Sequence, residues 1–319
     1  MILKAILIML LTFLSFCFGL ALLLIGSHYL VCASVSIAKN YNISPFIVGT
    51  FLIGFGTSIP EFLVSANAPW HGSVDLCIGN ALGSYISNIG MVLGFSALVR
   101  PIAIPMNVLQ QELPLLFIAL LITIFLVLDG HLSVPDSSIL LALFVIFSIV
   151  SVTSSTADNT TSHEDGDNTS VWWTFVQFIF FLSLLLIGSD MLVVSAQSIA
   201  KSMGLSELVI GLSMVAVGTS LPELATALMS LAHKEDELCV GNIIGSNIFC
   251  LLGILPLPAI ATLESIGTEN LRREFSVMVV MTMLFWLFAA KFDEHKQINR
   301  IEGSVLLLSF IVYLATLFS

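Results

Sequence analysis

Gly56-Thr57-Ser58-Ile59-Pro60-Glu61 recurs 162 positions later as Gly218-Thr219-Ser220-Leu221-Pro222-Glu223, in a chain that is otherwise almost all hydrocarbon. Each copy sets a carboxylate, two hydroxyls and a helix-breaking proline where the flanking residues call for lipid. An ionisable side chain in that setting is costly and is kept for a use. Its occurrence twice, at matching positions of two halves, predicts one shared polar site near the membrane midplane.

Composition supports the membrane setting. Of 319 residues, 57% are hydrophobic and 10% charged, and the mean hydropathy is +1.05. Soluble domains carry about 25% charged residues, so this chain could not cover a water-facing surface and reads as a polytopic membrane protein. Much of the formal charge of −11 sits in Asp158, Glu164, Asp165 and Asp167. The ten basic residues are scattered, which gives nucleic-acid binding no support. The five cysteines form no C-x-x-C pair and read mostly as small apolar residues. The first apolar run, Ile6 to Ile25, follows Lys4 and continues through Ile37 with no small-residue cleavage pattern. It has a counterpart in the second half and reads as a membrane helix, not a signal peptide.

Residues 20–86 align without a gap on residues 182–248. Leu24-Ile25-Gly26-Ser27 meets Leu186-Ile187-Gly188-Ser189, and Gly79-Asn80-Ala81-Leu82-Gly83-Ser84 meets Gly241-Asn242-Ile243-Ile244-Gly245-Ser246. Roughly four in ten positions are identical, the signature of an internal duplication. With about 20 apolar residues per span, each half holds five segments: about 6–38, 45–68, 75–98, 107–128 and 132–152, then 171–200, 205–232, 238–262, 271–290 and 300–318. The first and sixth are long enough to require strong tilt or a break near Gly26 and Gly188. Five is odd, so the second copy enters the membrane from the opposite side. The expected fold is an all-α membrane protein with ten transmembrane helices as two inverted-topology repeats of five. The expected domains are residues 1–152, a polar linker 153–170, and residues 171–319. An N-terminus-out orientation places six basic residues inside (Lys39, Arg100, Lys234, Lys291, Lys296, Arg300) and four outside (Lys4, Lys201, Arg272, Arg273). The sequons at Asn159 and Asn168 then fall inside and read as chance matches in a Ser/Thr-rich stretch.

Proline lacks an N–H and clashes with the carbonyl four residues back, so Pro60 disturbs Gly56 and Pro222 disturbs Gly218. A carbonyl released inside lipid needs a partner, and a metal cation is a suitable one. Gly54, Gly56 and Gly218 remove bulk so that the backbone can bend and an ion approach. Thr57, Ser58, Thr219 and Ser220 add neutral oxygens, and Glu61 and Glu223 add charge. Hard cations such as Ca²⁺ take about six to eight oxygens, a number within reach of this set. Two ionised glutamates carry −2, which one Ca²⁺ or two Na⁺ neutralise. A site that accepts either ion type but not both at once is the physical basis of exchange. Snorkelling of both glutamates to water is the competing explanation, but glutamate is short and both lie mid-segment.

In the second repeated element, Gly79 with Gly83 and Gly241 with Gly245 have the spacing that lets helices approach closely. Asn80, Ser84 and Asn88 share a helix face, and Asn242 and Ser246 repeat the pattern. His28 and Asp190 are repeat equivalents of different type and suit interfacial placement; His71 and His233 coincide at loop edges and receive no chemistry.

These residues resemble the sodium/calcium exchanger family of the calcium/cation antiporter superfamily, in its compact prokaryotic form. The likeness covers essentially the whole chain, with G-T-S-x-P-E on the second helix of each repeat and G-N-x-x-G-S on the third. It implies that Glu61 and Glu223 are the central cation ligands and that Thr57, Ser58, Thr219 and Ser220 supply oxygens to Ca²⁺ and Na⁺. It further implies that Ser84 and Ser246 line the Na⁺ positions, with Asn88 beside Ser84, and that the first and sixth helices slide to give alternating access. One position departs: where the family usually has Asn or Asp four residues after the second-repeat serine, this chain has Cys250, and a thiol is a poor ligand for hard cations. The G-N-A-x-E pattern of proton/calcium exchangers is absent, since Gly83 occupies its last position.

The expected activity is secondary antiport, Na⁺ against Ca²⁺, by a multi-pass protein of a cell membrane of the bacterial inner-membrane kind. Its partners are the two transported ions and the lipid bilayer, with no cofactor. Rival readings are cation/H⁺ antiport on the same fold, a passive channel, and an intramembrane enzyme using the glutamate pair. Against the enzyme, there is no H-E-x-x-H motif and no histidine near either glutamate in sequence.

Overall fold

The computed structural model describes residues 2–67, 74–157, 171–202, 218–263, 266–267, 271–290 and 297–317. His71, both sequons, Lys291, Lys296, linker residues 158–170 and positions 205–217 of the seventh segment lie outside the described residues. Ten helical segments follow one another: α1 (Ile2–Tyr41), α2 (45–67), α3 (74–99), α4 (Val108–Leu126), α5 (Val134–Ala157), α6 (Val171–Ser202), α7 (Leu221–Ala232), α8 (Asp236–Thr262), α9 (Arg272–Ala289) and α10 (Arg300–Leu317). Among the described residues six are single apolar spans, and α2 is one more, bent by 45° between Thr57 and Ile59. The protein is an all-helical, multi-pass membrane protein.

Among the described residues, four two-residue strands fix the topology. β1 (Ile102–Ala103), after α3, pairs antiparallel with β4 (Gln297–Ile298), before α10. β2 (His131–Leu132), between α4 and α5, pairs antiparallel with β3 (Ile266–Gly267), between α8 and α9. The α3–α4 and α9–α10 connections therefore share one face, and the α4–α5 and α8–α9 connections share the other. Equivalent connections of the two halves lie on opposite faces, as inverted repeats require. Side chains agree: Arg100, after α3, reaches Asp236 at the start of α8 (3.4 Å) and the Leu231 carbonyl at the end of α7. Arg273, at the start of α9, donates to Thr316 O near the end of α10 (3.2 Å).

Local chemistry sets the helix starts. Ser133 and Asp136 cap α5 reciprocally, and Asn299 and Glu302 do the same for α10 (2.8 and 3.0 Å). Glu112 and Glu274, equivalent residues near the starts of α4 and α9, are both buried. There the amino-terminal end of a helix favours a carboxylate. Glu112 also accepts from Ser151 Oγ (3.0 Å).

The helices form two layers. α3 and α8 are interior, with 78% and 83% of their spans buried, against 17% for α1. They anchor a large apolar core that runs from Phe46 through Ile86, Leu93 and Leu120 to Phe285 and Phe310. A second core joins α1 and α6 and touches the bundle through Val48, Ile53, Ala225 and Leu238. α1 and α6 run antiparallel, Ser15 meeting Ser195 (3.1 Å), Gly26 meeting Leu185 and Tyr29 stacking on Phe181. At 40 and 32 residues both exceed the need of a bilayer about 30 Å thick. Neither is broken at Gly26 or Gly188. Those glycines are contact points instead: a Cβ at Gly26 would lie 2.6 Å from Leu185 N, and one at Gly188 2.5 Å from Leu23 N.

The same device brings α2 against α8. A Cβ on Gly241 would lie 2.3 Å from Phe46 O, one on Gly245 2.3 Å from Thr50 O, and one on Gly49 2.5 Å from Leu238 O. Backbone so close to backbone cannot yield to a side chain. Gly241→Val therefore lowers stability by about 1–3 kcal/mol, the usual cost of overpacking. Leu308→Ala, on a lipid-facing side chain that is 61% exposed, changes little. Thermal melting of the purified proteins in detergent checks the pair, and equal melting temperatures would contradict the glycine argument.

Candidate functional site

The two G-T-S-x-P-E copies share one local conformation at their serines, each of which immediately precedes the helix that carries the glutamate. Helix α2 stops at Thr57, passes through Ser58 at φ −85° and ψ 10°, and resumes at Ile59. In the second repeat Ser220 sits at φ −90° and ψ 8° immediately before α7 begins at Leu221. Pro60 and Pro222 occupy the second position of each new helix, where a missing N–H costs nothing. Glu61 and Glu223 fall in the first turn, at the positive end of the helix dipole. The break thus brings together a helix end rich in carbonyls and a helix start bearing a carboxylate.

Each half is completed by the other. Ser58 Oγ donates to Glu223 Oε1 at 2.9 Å, and the Thr219 side chain bonds the Glu61 carboxylate. Thr57 Oγ1 lies 3.3 Å from Gly54 O and 3.4 Å from Asn242 Oδ1. Ser246 Oγ donates to Gly54 O at 3.1 Å. Asn80 Nδ2 donates to Glu61 O (3.1 Å) and Ser65 Oγ (3.0 Å), and Asn242 Nδ2 mirrors it on Glu223 O (3.2 Å) and Thr226 Oγ1 (3.0 Å). The two asparagines of the G-N-x-x-G-S motif are therefore positioning residues, each holding the main chain of its glutamate. The freed carbonyl of Gly218 accepts from Ser189 Oγ of α6 (3.4 Å). The equivalent Ser27 turns back to Leu24 O of its own helix (3.1 Å).

Glu61 and Glu223 are each 1% exposed, and Thr57, Ser58, Ser84, Asn88, Ser220 and Ser246 are buried, while Thr219 is half-buried. Among the described residues Glu61 Oε2, Glu223 Oε2, Asn80 Oδ1, Asn88 Oδ1 and Ser220 Oγ have no hydrogen-bond partner. Buried acceptors without donors are costly. With the carboxylates ionised, these atoms apart from the Ser220 hydroxyl only accept, and a cation is one species that satisfies such oxygens. Ser84, Asn88 and Ser220 make no hydrogen bond to either carboxylate among the described residues.

Two features escape the sequence patterns. α3 and α8 each widen into a π-helical stretch, Asn88–Leu93 and Phe249–Ile254. The second is closed by Leu255 N–H donating to Cys250 O five residues back (3.0 Å). Cys250 is fully buried, is the second residue of its π turn where the equivalent Asn88 is the first, and lies within electrostatic reach of both glutamates. Asn247, whose repeat partner is Tyr85, is fully buried with neither polar side-chain atom paired among the described residues. Only the Tyr/Asn mismatch between repeats marks it in sequence.

The sequence matches the family of the sodium/calcium exchanger protein over residues 11–153 and 173–319. It is 38% identical over 314 residues to the putative antiporter CaxA of Alkalimonas amylolytica, covering 94% of this chain and 97% of that one. It is 35% identical over 309 residues to the inner membrane protein YrbG of Escherichia coli, covering 94% of each. The solved sodium/calcium exchanger from Methanococcus jannaschii superposes with a TM-score of 0.81 at 34% identity, covering 96% of this chain and 98% of that one. Crystals of that exchanger have been soaked with Na⁺ and Sr²⁺. With its inverted repeats, paired G-T-S-x-P-E motifs and buried glutamates, the chain is a cation antiporter that belongs to the sodium/calcium exchanger family.

Proposed function

We propose that this antiporter exchanges Na⁺ for Ca²⁺ by alternating access, with Glu61 and Glu223 as the central ligands. Thr57, Ser58, Thr219, Ser220, Ser84, Asn88 and Ser246 supply further oxygens. One observation carries the reading: two carboxylates, brought to one buried place by the inverted repeats, each keep an oxygen that no donor among the described residues satisfies. Their combined charge of −2 matches one Ca²⁺ or two Na⁺, so the two loads are alternatives. Hydroxyl, amide and carboxylate oxygens are hard donors suited to both ions. The layer of α1 and α6 has its own apolar core, which supports a movement of these helices as a unit across the bundle.

Cys250 bears on selectivity. Its thiol stands where the first repeat has the Asn88 oxygen, so the second half of the site has one hard donor fewer. Cation/H⁺ antiport, the second reading, draws on this asymmetry.

The deciding assay is radioactive Ca²⁺ uptake into Na⁺-loaded proteoliposomes, diluted into Na⁺-free or Na⁺-equal buffer. Uptake is expected only with the outward Na⁺ gradient, and Glu61→Gln and Glu223→Gln each lower it by at least about tenfold, a loss of about 1.4 kcal/mol or more. Uptake indifferent to Na⁺ but driven by a pH gradient would replace the reading with cation/H⁺ antiport. Asn80→Ala and Asn242→Ala remove a buried donor worth about 1–3 kcal/mol. In the same assay they raise the Ca²⁺ concentration for half-maximal uptake by about tenfold while some flux survives, separating positioning from ligation. Cys250→Asn restores an oxygen donor and lowers the half-saturating concentration of Na⁺ or Ca²⁺; unchanged values for both ions would remove Cys250 from the site.

A further inference from the structure

Away from the glutamates, His28 and Cys32 of α1 meet His233 at the end of α7, and their donor atoms all lie within 4.8 Å of one another. We propose that these three side chains form a binding site for a zinc-class divalent transition-metal ion, which ties α1 to α7 when bound.

The geometry is close to that of a coordinated set. Cys32 Sγ lies 3.7 Å from His233 Nε2, and the two imidazole rings stand 4.8 Å apart between centroids at 43°. A tetrahedral zinc ion with Zn–S of about 2.3 Å and Zn–N of about 2.0–2.1 Å holds its sulfur and nitrogen ligands about 3.6 Å apart. His28 and Cys32 are four residues apart, so a single helix presents both on one face.

His233 is held ready. Its Nδ1 lies 2.8 Å from Met229 O. A carbonyl only accepts, so the ring proton is on Nδ1 and the lone pair is on Nε2, the atom facing Cys32. Metal-bound histidines are commonly oriented by this kind of second hydrogen bond. The main chain is fixed too. Lys234 takes a left-handed conformation (φ 63°), and Glu235 N–H returns to Ser230 O (2.9 Å) with Lys234 N–H to Leu231 O (3.0 Å). This closing turn of α7 carries His233 at its last position. All three ligands are half-buried, so an ion reaches them from solvent and a water completes the fourth position.

The donor set separates this site from the glutamate site. One sulfur and two imidazole nitrogens suit Zn²⁺ or Co²⁺ and are poor ligands for Na⁺ and Ca²⁺. Binding converts the Cys32 thiol to a thiolate and releases its proton to solvent. The joint spans the boundary between the α1–α6 layer and the bundle. On the exchange reading above, on which this consequence rests, an ion there holds α1 in one register and slows transport.

The test uses the purified full-length protein. Co²⁺ titration in detergent is expected to give a thiolate-to-cobalt charge-transfer band that saturates at one equivalent and is displaced by Zn²⁺. Cys32→Ser abolishes the band, and His28→Ala and His233→Ala each weaken binding by about 10–100-fold or more. Metal-free melting of Cys32→Ser matches the native protein, which shows that the variant folds. A band absent from the native protein, or retained in Cys32→Ser, overturns the site whatever the chain transports. In proteoliposomes, micromolar Zn²⁺ slows Ca²⁺ uptake several-fold in the native protein and not in Cys32→Ser. Equal inhibition of both overturns the clamp, because the ion then acts elsewhere.

Discussion

Everything in this molecule depends on one constraint: a helix broken inside lipid must find partners for the groups it releases. Pro60 and Pro222 each remove a donor, and the turns through Ser58 and Ser220 leave carbonyls and carboxylates in a place without bulk water. Each half draws some of its donors from the other. Ser58 serves Glu223 and Ser246 serves Gly54, each across the repeat boundary. The close approach that allows this comes from the glycine contacts of α2 with α8, where any side chain would strike backbone. Duplication is thus a physical requirement of the site: one broken helix would be an uncompensated defect, and two inverted ones compensate each other.

The second layer follows a different logic. α1 and α6 meet the bundle mainly through apolar contacts such as Leu30, Ile37, Val48 and Ile53. Apolar contact is non-directional and scales with area, so displacement along the helix axis trades one set of contacts for a similar one. Two directional bonds between described residues cross this boundary. Ser189 reaches the Gly218 carbonyl, and Cys32 meets His233. A boundary of that kind resists separation more than sliding, which is the mechanical property alternating access needs.

Much of this was legible in the sequence because it is written in spacing. The offset of 162 residues and the odd number of apolar segments imply inverted repeats, and the paired β1–β4 and β2–β3 contacts agree with that reading. Pro60, Pro222 and the flanking serines imply the breaks; the first occurs where expected, and in the second repeat a helix starts at Leu221 as the pattern asks. What could not be read depends on tertiary geometry. Gly26 and Gly188 suggest breaks as readily as contacts, and only the crossing of α1 with α6 decides between them. The π turns at Asn88 and Phe249 have no propensity signature. Asn80 and Asn242 are visible as polar residues, but their service to the glutamate carbonyls requires α2 beside α3 and α7 beside α8. His28 and Cys32 lie about 200 positions from His233 in the chain and meet it only through the packing of α1 on α7.

The departures from symmetry carry information of their own. Two identical inverted repeats would make the two membrane faces interchangeable, so states open to either side would have equal energy. Here the freed carbonyl of the second repeat is capped by α6, whereas the equivalent serine on α1 bonds within its own helix. A thiol replaces an amide at Cys250, and Asn247 stands where the first repeat has Tyr85. Such differences remove the symmetry that would make the two orientations equal in energy. A bias of even 1.4 kcal/mol is about a tenfold preference. A ligand shifts such an equilibrium only by its differential affinity for the two states. On the exchange reading, then, the repeats build the site by resembling each other, and their differences set which face the empty carrier prefers.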